Sequence, residues 1–255
     1  MPAAPPSRAR RTGARLDERL LAEGLAESRS RAQALVLAGE VLVDGTVVDK
    51  PGTRVRPEQR VGLRPPRHRF VSRGGDKLAG ALEDLGVDPA GLVCLDVGAS
   101  TGGFTDCLLQ AGARRVVAVD VGRAQLHERL RADPRVVVVE RTNARHLAAE
   151  VLPEPVDLVT ADVSFISVRL LLPRLAERAP RAVWLILVKP QFEVGRGQVG
   201  KGGVVRDDRL RQEAVDAVRA AAEALGWTLA GAADSRLAGP KGNREIFLLL
   251  RPPRG

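Results

Sequence analysis

No apolar run in this 255-residue sequence approaches the length of a membrane span. The longest stretches, such as Ala182 to Val188, fall far short of the roughly 20 residues that cross a bilayer, so no membrane partner is expected. Cysteine is scarce too. Cys94 lies in an apolar run and Cys107 in a helical pattern, and both read as buried thiols, not as a disulfide or a metal site. The three histidines, His68, His127 and His146, show no ligand spacing, and no metal is expected. Lysine is the most telling shortage. Of 40 basic residues only Lys50, Lys77, Lys189, Lys201 and Lys241 are lysines. A guanidinium never deprotonates in a protein, whereas an amine can. The places where this arginine-rich chain keeps lysine are therefore candidates for chemistry that arginine cannot do.

What is present is ordinary in bulk: 44% hydrophobic residues is enough for a packed core. A formal net charge of +9 gives a surface that attracts polyanions, which makes nucleic acid the leading partner class. The segment from Met1 to Arg11 is basic but has no apolar centre of the secretory kind. Residues 1–13 therefore read as a disordered tail of a cytoplasmic protein.

Residues 14–63 form a first unit. Leu16 to Glu23 and Arg29 to Ala38 have helical patterns, the second introduced by Ser28 as N-cap. Val41-Leu42-Val43, Asp44-Gly45 and Thr46-Val47-Val48 read as strand, tight turn and returning strand, and two further short strands follow at 53–55 and 61–63. Arg64-Pro65-Pro66-Arg67-His68-Arg69 is stiff and basic, so 64–70 reads as a linker. Residues 71–251 alternate strand and helix: strands at 93–97, 116–120, 136–140, 156–161, 183–188, 228–234 and 245–250, with helices such as 103–111 and 208–225. The fold class expected is α/β, a doubly wound, mostly parallel seven-stranded sheet of Rossmann-like type closed by an antiparallel hairpin, behind a small N-terminal α+β domain.

The runs Arg15-Leu16-Asp17-Glu18-Arg19-Leu20, Ser28 to Gln33 and Gly39 to Gly45 resemble the RNA-binding domain named after the fourth protein of the small ribosomal subunit. That resemblance points to Arg15, Arg19, Arg29, Arg31 and Arg54 as phosphate contacts. The residue pattern agrees, placing these arginines on the polar face of a helical pair whose leucines face inward.

In the larger unit, Asp96, Gly98, Ser100, Thr101, Gly102, Gly103 and Phe104 lie where a strand passes into a helix, a loop whose glycines let backbone run close to a ligand. The spacing is not that of a pyrophosphate loop, and Asp96 at the strand end suits an ammonium group better than a phosphate. Asp120, about 20 residues on, is placed to bind ribose hydroxyls, and Asn143-Ala144 follow the third strand. Together these resemble Rossmann-like methyltransferases and imply S-adenosyl-L-methionine as cofactor.

Ser72-Arg73-Gly74-Gly75-Asp76-Lys77 precedes the first strand, Asp162 ends the fourth, Lys189 the fifth, and Glu245 starts the last. Carboxyl ends of strands line one crevice in a doubly wound sheet, so Asp162 and Lys189 must open on the same edge as the glycine loop. The order resembles the Lys-Asp-Lys-Glu tetrad of ribose 2′-O-methyltransferases, with Lys77, Asp162, Lys189 and Glu245 as members. The whole chain resembles the TlyA (hemolysin A) family of ribosomal RNA methyltransferases. The resemblance implies cytidine 2′-O-methylation of ribosomal RNA or ribosomal subunits. A ribose hydroxyl is a poor nucleophile at neutral pH and needs a positioned base, for which Lys189 is the candidate, with Asp162 and Glu245 orienting the two amines. Loops 195–203 and 235–243, with Lys201 and Lys241, read as RNA-facing, and Arg73 joins them. Phe70 stands where many members of that family carry tryptophan. A membrane-active hemolysin and a non-catalytic RNA-binding assembly factor are the competing classes.

Overall fold

The computed structural model describes residues 13–37, 39–63, 69–200 and 202–253. Most of the tail and linker read from the sequence, and Lys201, lie outside the described residues. The chain divides into two compact units, residues 1–67 and 68–255.

The small unit holds β1 (Ala14–Arg15), α1 (Leu16–Ala22), α2 (Arg29–Leu37), β2 (Val41–Val43), β3 (Thr46–Val47), β4 (Arg54–Val55) and β5 (Val61–Leu63). Leu16 and Leu20, one helical turn apart, put the apolar side of α1 against Ala32, Leu35 and Val36 of α2 and against Val41, Val43 and Val55. Ser28 caps α2 as expected, its Oγ accepting from Arg31 N–H at 3.2 Å. Asp44 and Gly45 both have positive φ, 50° and 81°, the conformation a two-residue hairpin loop between right-twisted strands requires. β2 pairs antiparallel with β3 and β5, and β1 pairs antiparallel with β4.

The large unit runs α3 (Arg73–Asp84), β6 (Val93–Val97), α4 (Gly103–Gln110), β7 (Arg115–Val119), α5 (Glu128–Arg131), β8 (Val136–Val139), β9 (Leu158–Ala161), α6 (Leu172–Arg178), β10 (Val183–Val188), α7 (Pro190–Glu193), α8 (Asp208–Glu223), β11 (Thr228–Asp234) and β12 (Ile246–Arg251). Among the described residues these strands make one seven-stranded sheet in the order β11-β12-β10-β9-β6-β7-β8. Neighbours from β10 to β8 are parallel, while β12 runs antiparallel between β10 and β11. The closing hairpin is thus present, with its second strand inside the sheet. Some bounds shift from the sequence reading by a residue or two: Asp120 follows β7 and Glu245 precedes β12.

Apolar layers cover both faces of the sheet, one built on Leu95, Val117, Trp184 and Leu248, the other on Cys94, Leu108, Leu185 and Phe247. Both cysteines are free and buried, and burial pushes their thiols up to about 12. The chain order reverses direction between β6 and β9, so their carboxyl ends leave a crevice at the place where open α/β sheets bind ligands.

Candidate active site

The loop after β6 follows the edge of this crevice. Gly98 has φ of 86°, and a Cβ there would sit 2.5 Å from the carbonyl oxygen of Asp162, so the two switch-point strands approach closely only because residue 98 is glycine. Gly103 serves a different approach: a Cβ on it would lie 2.2 Å from Ser72 Oγ and 2.8 Å from the Gly75 nitrogen. The bare backbone at 103 lets α3 pack against α4, which brings Lys77 to the crevice. Gly102, expected at the ligand, is not among the residues lining the cavity in this crevice. A Cβ at 102 would meet Leu130 and Leu126 at 2.2 and 2.8 Å.

Two ion pairs stand side by side on one cavity. Lys77, buried on α3, gives its Nζ to Glu245 Oε2 at 2.5 Å. Lys189, buried directly after β10, pairs through Nζ with Asp162 Oδ1 and donates to Ser164 Oγ at 2.9 Å. Lys77, Asp162 and Lys189 line a cavity of about 390 Å³ together with Arg73, Gly98, Ser100, Thr101, Gly103 and Phe104. Glu245, 1% exposed, sits behind Lys77 and not on that lining. The four residues of the expected tetrad are thus brought together, in the pairing Lys77–Glu245 and Lys189–Asp162.

A second cavity of about 340 Å³ shares Gly98, Ser100 and Asp162 with the first. Asp120, Asn143 and Ala144 line it, with an apolar side of Val121, Phe165, Ile166 and Leu171. The Asp120 carboxylate is oriented by backbone, accepting from Ser100 N–H at 2.8 Å and Gly122 N–H at 2.7 Å. Asn143 Oδ1 accepts from Arg145 N–H at 3.0 Å and caps the short turn Ala144–His146. Phe104 is buried with its ring stacked on Phe247 at 6.0 Å.

Asp96 is the residue placed differently from its expected role. It lines neither cavity. It lies fully buried beneath the loop, accepting from Thr105 Oγ1 at 2.6 Å and Thr160 Oγ1 at 3.3 Å. Loss of water pushes its carboxyl up to about 7, the threonine hydroxyls working against that shift and the charge of Asp162 adding to it.

The arginines of the small unit are likewise less bare than the sequence implies. Arg15 and Arg29 share one fully buried carboxylate, Asp17, at 3.0 and 3.2 Å, and Gln33 donates to it at 3.0 Å. Arg19 pairs with Glu23, and Arg54 reaches the Gly13 carbonyl at 3.1 Å. Arg31 is exposed on α2. In the large unit Arg73 reaches the Ala238 carbonyl at 3.4 Å, and Lys241 sits at a φ of 60° in the loop before β12. Sequence reading gave no role to Asp17, to Ser164 or to the apolar side of the second cavity. The signal available for the last two was a run of three apolar residues at 163, 165 and 166, broken by Ser164 just past a strand end.

A profile of the FtsJ-like methyltransferase family matches residues 70–251, and one of the S4 domain matches residues 14–61. The chain is similar to the 16S/23S rRNA (cytidine-2'-O)-methyltransferase TlyA of Mycobacterium tuberculosis, with 53% identity over 240 residues that cover 93% of this chain and 90% of that protein. It is 40% identical over 235 residues to Hemolysin A of Brachyspira hyodysenteriae, covering 91% of this chain and 98% of that one. The solved structure of a protein described as a hemolysin from Streptococcus thermophilus matches with a TM-score of 0.73 at 38% identity, over 96% of this chain and 90% of that one. The chain therefore belongs to the FtsJ-like methyltransferases and, within them, to the TlyA (hemolysin A) family, with an S4 domain ahead of a Rossmann-like methyltransferase domain.

Proposed function

We propose that this chain methylates a ribose 2′-hydroxyl, that of a cytidine, in structured ribosomal RNA, with S-adenosyl-L-methionine as donor. The observation that carries the reading is the convergence of two lysine–carboxylate pairs on a cavity that shares Gly98, Ser100 and Asp162 with the glycine-loop groove. The chemistry of that groove fits the cofactor. A backbone-oriented carboxylate at Asp120 suits two ribose hydroxyls, and Val121, Phe165, Ile166 and Leu171 offer an apolar slot for a flat base. When bound, S-adenosyl-L-methionine supplies a methyl group already attached to a good leaving group.

The chain's own residues then have a short task. Lys189, as the neutral amine, takes the proton of the acceptor hydroxyl at Nζ, and Asp162 holds the resulting ammonium. Lys77, kept straight by Glu245, presents a fixed positive charge on the same cavity and orients the ribose beside it. We assign residues 14–63 to RNA binding, 64–70 to a linker and 71–251 to catalysis, with 1–13 as a basic tail. Arg15, Arg19, Arg29, Arg31, Arg54, Arg73, Lys201 and Lys241 form the RNA-facing set, and the compartment is the cytoplasm, where ribosomal RNA is met. That the M. tuberculosis relative is a 16S/23S rRNA (cytidine-2'-O)-methyltransferase supports this reading. Among the described residues no helix is long and apolar enough to cross a membrane.

The test is to treat both ribosomal subunits, and their naked RNA, with protein and labelled cofactor and to map 2′-O-methyl marks. A mark at a cytidine that disappears with Lys189→Ala is expected. Absence of any mark, or a mark that survives Lys189→Ala, would sink the assignment.

A further inference from the structure

We propose that Ser164 is a positioning residue for methyl transfer: acting through Lys189, it aims the lone pair of the amine into the acceptor cavity. The proposal rests on the reading of Lys189 as the base. A neutral amine has two N–H bonds and one lone pair in a roughly tetrahedral array, and rotation about Cε–Nζ is free unless the N–H bonds are engaged. Among the described residues the partners of Lys189 Nζ are Asp162 Oδ1 and Ser164 Oγ, the latter at 2.9 Å. Both are oxygens able to accept. Ser164 Oγ takes one N–H as a hydrogen bond, and Asp162, which meets Nζ as an ion pair without hydrogen-bond geometry in this structure, draws the second; the remaining direction, the lone pair, is thereby set, and Lys189 lines the 390 Å³ cavity where the hydroxyl must arrive. With Asp162 alone, one N–H is held and the lone pair is shared between two directions.

Ser164 can do this only if its segment does not wander, and the structure shows what holds it. Glu193, buried and four residues beyond Lys189, accepts from Ser167 Oγ at 2.5 Å, Val168 N–H at 2.7 Å and Arg169 Nε at 3.1 Å. The ring of Phe165 lies 5.4 Å from that of Phe192. The segment after Asp162 is therefore tied, through a carboxylate and a ring pair, to the turn that carries Lys189. Phe165 itself adopts a φ of 69°, a region costly for a bulky side chain that persists where the surroundings impose it.

The experiment compares wild type with Ser164→Ala, Ser164→Thr and Lys189→Ala under saturating cofactor and ribosomal subunit. It measures kcat, KM for RNA and cofactor affinity separately. Ser164 is exposed, so its replacement by alanine leaves the fold intact. We expect kcat of Ser164→Ala to fall about tenfold, the worth of one hydrogen bond realised on the way to the transition state, with KM for RNA unchanged and cofactor affinity, which Ser164 also touches as part of the second cavity's lining, changed by much less than kcat. Threonine, which keeps the hydroxyl, restores it. A wild-type kcat in Ser164→Ala, a loss confined to cofactor affinity, or a threonine variant as slow as alanine would each overturn the proposal. The Lys189→Ala arm separates the two failures. If it abolishes transfer while Ser164→Ala does not change kcat, only the role of Ser164 falls. If transfer survives Lys189→Ala, the reading of the base falls first.

Discussion

Asp17 in the small unit and Asp96 in the large one are both carboxylates with no exposed surface, yet their surroundings drive them in opposite directions. Hydrogen bonds from the Arg15 guanidinium, aided by Gln33 and Arg29, hold Asp17 well below the usual carboxylate range against the cost of its burial. Asp96 is met by the hydroxyls of Thr105 and Thr160 and the Thr105 backbone and rises to about 7, chiefly because it has lost water. The difference separates two uses of a buried acid. Asp17 is a permanent anion that gathers surface arginines into a fixed group, whereas Asp96 is near its titration point under the glycine loop that lines both cavities.

The comparison breaks most visibly at Asp17. Asp17→Ala removes the acceptor for Arg15, Arg29, Gln33 and the Glu18 amide at once. In so small a unit a loss of about 3 kcal/mol unfolds it. Native-state amide exchange should show residues 13–63 losing protection while the sheet of the large unit keeps its own. Protection unchanged in α1 and α2 would mean that Asp17 is only an ornament of the arginine face. Asp96→Ala should cost less, about 2 kcal/mol, from two threonine hydroxyls left without their acceptor and a small cavity, read as a lower denaturation midpoint of the large unit. Asp96→Asn should lie between it and wild type.

The same comparison shows how far the sequence could be read. β6, β7 and β10 were legible as apolar, β-branched runs, and the tetrad lysines stood out because this chain uses lysine so rarely. The pairing of Lys77 with Glu245 was not, since 168 residues separate them and only the antiparallel insertion of β12 beside β10 brings them together. The burial of Asp96 was not legible for a related reason. β6 is buried on both faces, so no alternation tells which way a side chain points. Gly102 looked like the rest of its loop, but what requires glycine there is a backbone φ of 97°, with the side chains of Leu126 and Leu130 close to where a Cβ would stand. The arginines of the small unit were legible as a charged face and illegible as partners of Asp17, because a helical pattern shows which side is polar and not which charges meet.

Acidification tests the two carboxylates against each other with a smaller expected signal. Asp96 has a folded value above its unfolded one of about 4, so its contribution to stability is complete below pH about 4 and is lost as pH rises through about 7. Asp17 is shifted the other way. Its contribution is complete above pH about 4 and is lost only as pH falls below the usual carboxylate range. Between neutral pH and mild acid the large unit should therefore gain stability from Asp96 while Asp17 contributes a constant amount. Denaturant titrations at several pH values, followed by exchange within each unit, read this directly. The gain should vanish in Asp96→Asn, and a gain that persists there would assign the titration to another group.

The smallest effect concerns what Asp17 does to the arginines around it. Arg29 shares the Asp17 carboxylate, whereas Arg31, two residues along α2, lies exposed and is not among the groups that lower Asp17. If both meet RNA phosphates, removing either should lower the slope of log affinity against log salt by about 1 or less per contact. Arg29 already has part of its field offset by a permanent anion, so fewer counterions gather on the RNA side of that contact, and Arg29→Ala should change the slope less than Arg31→Ala. Its cost should instead appear at every salt concentration as lost geometry, because Arg29 is held in place by Asp17. Filter-binding or fluorescence titrations of ribosomal RNA across a range of salt would separate the two. Equal slopes with equal losses would mean that the buried carboxylate fixes the fold of the small unit and leaves its arginines no different from ordinary surface charge.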